Sequence, residues 1–109
     1  MKSIEPKRLR IMGKPFKVTW VPKMQDEEEA CGKTDPRSCW IKVDADLPLA
    51  QKQDTLLHEV LHCIWYEMGI HNEAKEGDLE ETIITRLATG LTQVMKANPS
   101  FLKYLQQKK

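Results

Sequence analysis

The sequence predicts one α+β domain, with a small, mostly antiparallel sheet in its first half and helices in its second half. Three observations lead to this fold class. Residues 9–21 and 39–44 alternate between apolar and polar side chains, Gln53 to Gly69 has apolar residues at helical spacing, and Leu79 to Ala97 repeats that spacing. A chain of 109 residues has room for a modest core but little room for a second lobe.

The first half of the chain contains three predicted strands. Leu9 to Met12 and Phe16 to Val21 alternate around the turn residues 13–15, a pattern that predicts a β-hairpin. Cys39 to Asp44 is a short alternating run that predicts a third strand, immediately before the first long helix.

Two segments of the first half lack such a pattern. Residues 1–8 are mostly polar, and we expect them to be frayed. Residues 23–38 contain acids, glycine and proline without apolar periodicity. We expect this segment to form a long loop, with one turn of helix at Asp26 to Ala30, and a loop of this length in a small domain often carries function.

The second half contains three predicted helices. The first begins near Pro48, which is tolerated in a first turn, and ends at Gly69. It is apolar nearly all round its middle, so we expect it to be the central, buried helix. Asp78 is the expected N-cap of the second helix, which Pro99 ends before a short C-terminal helix.

Charge and cysteine content exclude several classes of protein. The 17 Lys and Arg residues nearly balance the 16 Asp and Glu residues. The sequence has no basic stripe of the kind that indicates nucleic-acid binding. No stretch approaches the roughly 18 apolar residues that span a bilayer, and no signal peptide is visible, so we expect a cytoplasmic protein. Cys31, Cys39 and Cys63 are an odd number and are expected to be free thiols.

The strongest functional signal is the run from His58 to His62, which reads His-Glu-Val-Leu-His. In a helix, residues four apart lie one turn apart on the same face, so both imidazoles can bind one metal ion with Glu59 beside them. H-E-x-x-H is the zinc-peptidase signature, in which two His ligands need a third protein ligand and leave one position for water. Without a metal, two buried imidazoles must find partners for four ring nitrogens.

Three residues are candidates for the third ligand: His71, Glu80 and Glu81. A metzincin site places Gly three residues and His six residues after the second histidine, and Trp65 and Met68 at these positions exclude that class. His71 lies nine residues after His62, and Glu80 and Glu81 lie 18 and 19 residues after His62. An antiparallel return of the next helix would bring its first turn over the metal, so we favour a glutamate.

Spacing alone leaves the choice between the two glutamates open. Glu80 lies nearer the centre of the apolar stripe of its helix, whereas Glu81 shares a face with Ile84 and the small Ala88, which permits close approach to the first helix. Glu81 could instead form a capping box with Asp78.

The motif and the residues after it resemble the small phage and prophage metallopeptidases of the zincin type, which are similar to the ImmA/IrrE group. The resemblance covers roughly residues 40–105 and rests on Thr55-Leu-Leu-His-Glu-Val-Leu-His62, Leu79-Glu-Glu, Leu87-Ala-Thr-Gly-Leu91 and Asn98-Pro99. It implies a minimal zincin-like domain of gluzincin type, in which the third ligand maps onto Glu81. Glu80 departs from the family, which often has Ser or Thr there.

A site of this kind predicts a zinc-dependent metallopeptidase, expected to be an endopeptidase, in the host cytoplasm if phage-encoded. His58, His62 and Glu81 would hold Zn²⁺, and Glu59 would be the general base that takes the proton of a water and passes it to the leaving amine. As in zincins generally, Trp40 to Asp44 is expected to form the sheet edge over the cleft and to pair with an extended peptide or protein substrate. The alternative is a catalytically silent, zinc-stabilised interaction module that acts on a phage or host regulator.

Overall fold

The α+β prediction is confirmed by the computed structural model of the chain, which describes residues 4–70 and 77–108 and contains four strands and four helices within them. The strands are β1 (Arg8–Ile11), β2 (Lys14–Val21), β3 (Gly32–Asp35) and β4 (Trp40–Asp44). The helices are α1 (Met24–Glu28), α2 (Leu49–Glu67), α3 (Gly77–Ala97) and α4 (Pro99–Gln106). The strand order is β1-β2-β4-β3, with β2 and β4 parallel and the other two pairs antiparallel.

The predicted N-terminal hairpin is confirmed, but its turn lies one residue earlier than expected. Ile11 pairs with Lys14, which leaves Met12 and Gly13 as a two-residue connection. Their φ angles are 50° and 82°, as a type I′ turn requires, and Gly13 adopts this conformation without a Cβ penalty. Pro15 belongs to β2 because it lies at the start of the strand, before the part that pairs with β4.

The predicted long loop at residues 23–38 is wrong, because this segment contains β3 as well as α1, but the expected turn of helix is present as α1, which begins two residues earlier than Asp26. β3 has the sequence Gly-Lys-Thr-Asp, which lacks the apolar alternation of a typical strand. The strand is stable because β4 supplies its ladder partner, and Thr34 is fixed by a 2.8 Å bond from its hydroxyl to Trp40 O.

Asp44, at the end of β4, holds the start of α1 and the turn that follows β4. Its carboxylate accepts hydrogen bonds from Gln25 N at 2.9 Å and from Asp46 N at 2.8 Å. The N–H of Asp46 and then that of Gln25 hold the pKa of Asp44 below its ordinary value, because these donors stabilise the charged carboxylate. Lys23 N in turn donates to the side chain of Asp46 at 2.7 Å.

The hydrophobic core lies between one face of the sheet and α2. Buried side chains come from alternate positions of the strands and from the underside of the helix. They are Ile11, Phe16, Val18, Ile41, Val43 and Cys63, with Leu9, Trp20, Leu56, Val60 and Ile64 packed around them. The intervening strand positions, such as Lys17 and Lys33, are polar and face away from α2.

The central position of α2 is confirmed, since it contacts β1, β3 and β4 on one side and α3 on the other. It is not buried all round, because only Glu59 and Cys63 among its 19 residues are buried and Leu57 and Leu61 keep partial exposure. α3 runs antiparallel to α2, because Glu80 contacts His62 whereas the later Thr89 contacts the earlier Asp54. Ile84 of α3 is buried. Within the described parts of the chain, no helix combines the length and apolarity that crossing a membrane requires.

Candidate metal centre

The H-E-x-x-H residues lie in a cleft of about 610 Å³ between α2, the first turn of α3 and the edge strand β3. α2 contributes Asp54, His58 and His62 from one face, since these residues are spaced four apart. The antiparallel return of α3 brings Glu80 and Glu81 to the same cleft.

His58, His62 and Glu81 converge on one point. The two Nε2 atoms lie 3.1 Å apart, Glu81 Oε1 lies 2.8 Å from His58 Nε2, and Glu81 Oε2 lies 3.0 Å from His62 Nε2. Ile84 and Ala88, one and two turns after Glu81, are buried, and the small Ala88 side chain is compatible with close packing of the helices. The first turn of α3 thereby holds a carboxylate directly over both imidazoles.

These three residues fit a zinc ion. Zinc bonds of about 2.0–2.1 Å in tetrahedral geometry place neighbouring ligand atoms about 3.3 Å apart, close to the separations within the group. The ligand atoms of His58, His62 and Glu81 all lie within 4.8 Å of one another. The Nε2 of a neutral imidazole either donates or accepts a hydrogen bond, and a carboxylate only accepts. If one histidine donates from Nε2 to the other, the accepting Nε2 has no proton to donate to Glu81. One cation at the shared point satisfies all three groups.

Glu80 contacts the opposite side of the His62 ring. Its Oε2 lies 2.6 Å from His62 Nδ1, whereas Glu81 approaches Nε2 of the same ring. The side chain of Glu80 is 25% exposed and that of Glu81 is 56% exposed. The adjacent glutamates, which spacing alone left open, thus occupy different positions around one imidazole.

Glu59 is buried beside the two histidines, with 7% of its surface exposed. Burial raises the pKa of its carboxyl to about 7; the nearby His62 opposes this increase, and the charge of Glu81 adds to it. A carboxyl with a pKa near neutrality can both accept and release a proton under physiological conditions, which is the property required of a general base that later acts as an acid.

Gly32 of β3 lies against the helix at Glu59. A Cβ on Gly32 would lie 2.7 Å from Thr55 Cγ2 and 3.1 Å from Glu59 Oε2. Only glycine allows the strand to approach this part of α2 so closely, although the sequence pattern predicts a loop at this position. The face of β3 at Gly32 therefore lies against the carboxylate of Glu59.

The expectation that Trp40 to Asp44 forms the sheet edge is wrong, because β4 lies between β2 and β3. The edge beside the cleft is β3. Asp44 N donates to Cys31 O at 2.8 Å, so these opposite residues form a hydrogen-bonded pair. Such pairs alternate along an antiparallel ladder, so the backbone N–H and C=O groups of Gly32 and Thr34 point to the open edge.

Other side chains complete the cleft, and one predicted candidate lies outside the described residues. Trp65 and Tyr66 of α2 line the cleft together with Pro36, which follows β3. Asp54 also lines the cleft. It lies four residues before His58, so the sequence already indicated that both residues share one face of the helix. His71 falls within residues 71–76, outside the described ranges.

Comparison of the chain with protein-family models, with curated proteins and with solved structures finds no match. The geometry of the cleft is therefore the basis on which a function can be assigned.

Proposed function

We propose that the protein is a zinc-dependent peptidase, with His58, His62 and Glu81 as metal ligands and Glu59 as general base. The observation that carries the proposal is the convergence of two imidazole nitrogens and a carboxylate on one point beside the buried carboxyl group of Glu59. The proposal includes the resemblance to the zincin-type phage metallopeptidases, whose third ligand maps onto Glu81.

The chemistry of peptide hydrolysis divides between the metal and the chain. Zinc, when bound, acts as a Lewis acid that polarises the scissile carbonyl and lowers the pKa of a water to about 7. Glu59 removes the proton of the attacking water onto its carboxylate and then donates it to the nitrogen of the leaving amine. Between these two transfers Glu59 is protonated. Burial favours this neutral form of the carboxyl group, because a poorly solvated position disfavours the charged form.

The open edge of β3 supplies the means to orient a substrate. An extended peptide can add to this edge as a further strand, with hydrogen bonds to the outward backbone groups of Gly32 and Thr34. Gly32 and Glu59 both line the cleft, so a peptide added to this edge, at a strand spacing of about 4.8 Å, would lie beside the cleft that contains Glu59. We infer that the protein cleaves within extended segments of peptides or unfolded proteins.

The experiment that tests the proposal compares the zinc-loaded wild-type protein with Glu59→Gln on a diverse peptide library. Gln preserves the size of the side chain but cannot act as a base, so kcat/KM should fall by about 100-fold to 10,000-fold while one zinc ion remains bound. Glu27→Gln is a matched control, because Glu27 is an exposed residue of α1 and does not line the cleft.

Two results would overturn the proposal. Cleavage that persists in Glu59→Gln would exclude Glu59 as the base. Zinc binding by a wild-type protein that cleaves no peptide would instead favour the zinc-stabilised interaction module.

A further inference from the structure

We propose that Glu80 is a positioning residue that fixes the orientation and tautomer of His62, so that the Nε2 lone pair of this ring faces the metal point. The inference rests on the proposed metal site. It assigns to Glu80 a function distinct from that of the adjacent Glu81, which approaches the ring from the other side.

The contact between the two side chains is short and directional. Glu80 Oε2 lies 2.6 Å from His62 Nδ1, the shortest of the contacts that join α2 to the first turn of α3 around the metal point. Both side chains are more than half buried, at 25% and 18% exposure, which limits competition from water. A charge-assisted hydrogen bond of this length holds the ring plane as well as the proton.

Helix geometry explains why the two glutamates cannot exchange their positions. Consecutive residues of a helix project about 100° apart, so Glu80 and Glu81 leave α3 in different directions. Glu81 reaches Nε2 of both histidines, whereas Glu80 reaches the far side of a single ring. A chain with one acid in this turn could bind the metal or orient His62, but not both.

The hydrogen bond also selects the form of the ring that binds a metal. A neutral imidazole carries one N–H, and a carboxylate at Nδ1 keeps that proton on Nδ1. The lone pair is then on Nε2, which lies 3.1 Å from Nε2 of His58 and 3.0 Å from the Glu81 carboxylate. Such an outer carboxylate also increases the basicity of a ligating imidazole, and its loss typically weakens metal binding about 10-fold to 100-fold.

Three measurements on wild type, Glu80→Ala and Glu80→Gln test the inference: the tautomer of His62, zinc affinity and the absorption of the Co²⁺-loaded protein. The first is the ¹⁵N NMR spectrum of metal-free protein, about two pH units above the ordinary His pKa of about 6.5. His62 should be the Nδ1–H tautomer in the wild type and in Glu80→Gln, whose amide oxygen still accepts the bond. In Glu80→Ala the Nε2–H tautomer should become populated.

The second measurement is zinc affinity by competition with a chromophoric chelator. Glu80→Ala should bind zinc about 10-fold to 100-fold more weakly than wild type, and Glu80→Gln should recover most of the loss. The visible absorption of the Co²⁺-loaded protein should change in Glu80→Ala, since the ring is no longer held, and should stay near that of wild type in Glu80→Gln. Glu28→Ala removes one carboxylate away from the cleft and should match wild type in all three readouts.

Several outcomes would overturn the inference. An unchanged tautomer and zinc affinity in Glu80→Ala would show that Glu80 has no effect on His62. Loss of zinc in both Glu80 variants, equal to the loss in Glu81→Ala, would make Glu80 a direct ligand. These results are separable from a failure of the proposed function, because zinc affinity and tautomer are measured without peptide cleavage.

Discussion

Gly32 lies so close to Glu59 that a Cβ on the glycine would be 3.1 Å from Glu59 Oε2. The same Cβ would be 2.7 Å from Thr55 Cγ2, closer than two carbon atoms normally approach. The edge strand β3 and the proposed general base therefore meet at a position that tolerates only a hydrogen atom. This contact lies between the edge proposed to bind substrate and the carboxyl group proposed to transfer the proton.

Gly32→Ala should lower activity more than it lowers zinc binding. The methyl group must displace Thr55 and the Glu59 carboxylate or the strand itself, which should cost about 1–3 kcal/mol of unfolding free energy. A base displaced by about 1 Å can lose about 100-fold in rate, measured as kcat/KM on a peptide substrate.

Gly90→Ala is the matched control for Gly32→Ala. Gly90 is an exposed residue of α3, and a Cβ added there would meet nothing within 4 Å. The substitution should leave activity unchanged and stabilise the helix by about 0.5–1 kcal/mol. Equal activity of the two variants would contradict the coupling of β3 to Glu59.

Glu81→Ala should abolish the stabilisation of the fold by zinc. A ligand that binds only the folded state adds about 2.7 kcal/mol at a free concentration 100 times its Kd, which raises the Tm of the wild-type protein. Without the third ligand the same zinc concentration should leave Tm nearly unchanged in a thermal melt. A full zinc-dependent rise of Tm in Glu81→Ala would exclude this residue as a ligand.

Substrate binding along β3 predicts a period of two in an N-methyl scan of a cleaved peptide. The outward groups of Gly32 and Thr34 would pair with substrate residues two positions apart, and the N–H between them would face away. Methylation of either paired nitrogen removes a hydrogen bond and should lower kcat/KM about 10-fold, whereas methylation of the intervening nitrogen should have little effect. A uniform loss at all three positions would argue against strand addition.

Cys63 should make the stability of the fold depend on pH in the alkaline range. Burial raises the pKa of its thiol from 9.0 to about 11. The folded state therefore holds this proton more strongly than the unfolded state, so the contribution to stability is complete below pH 9 and is lost as the pH rises towards about 11.

The measurement for Cys63 is the difference in unfolding free energy between wild type and Cys63→Ala as a function of pH. The difference should decrease by on the order of 2–3 kcal/mol from below pH 9 to about pH 11. A difference that is constant across this range would contradict a buried, protonated thiol at this position.

The parts of the fold and site that local patterns determine could be predicted from the sequence. The hairpin, β4 and the helices α2, α3 and α4 follow from alternation and helical spacing. His58, Glu59 and His62 lie together because they fall within little more than one turn of one helix. Spacing alone could not predict Glu81 as the third ligand, because its position depends on how α3 returns over α2. The family resemblance indicated this residue.

The β3 strand could not be predicted because its stability is tertiary. Its inward positions, Gly32 and Thr34, have no apolar side chains, and its pairing with β4 requires α1 to redirect the chain. The sequence predicted β4 as the edge of the sheet because β3, the strand that lies outside it, was not predicted. The separate contacts of Glu80 and Glu81 with His62 depend on side-chain directions that residue spacing alone does not fix.

A crystal structure of the zinc-loaded protein, with anomalous diffraction at the zinc edge, would identify the metal ligands directly. We expect one zinc ion bound by Nε2 of His58, Nε2 of His62 and the carboxylate of Glu81, with a fourth position open to solvent beside Glu59. A zinc ion closed off by four protein ligands, or one bound through Glu80 in place of Glu81, would contradict this expectation.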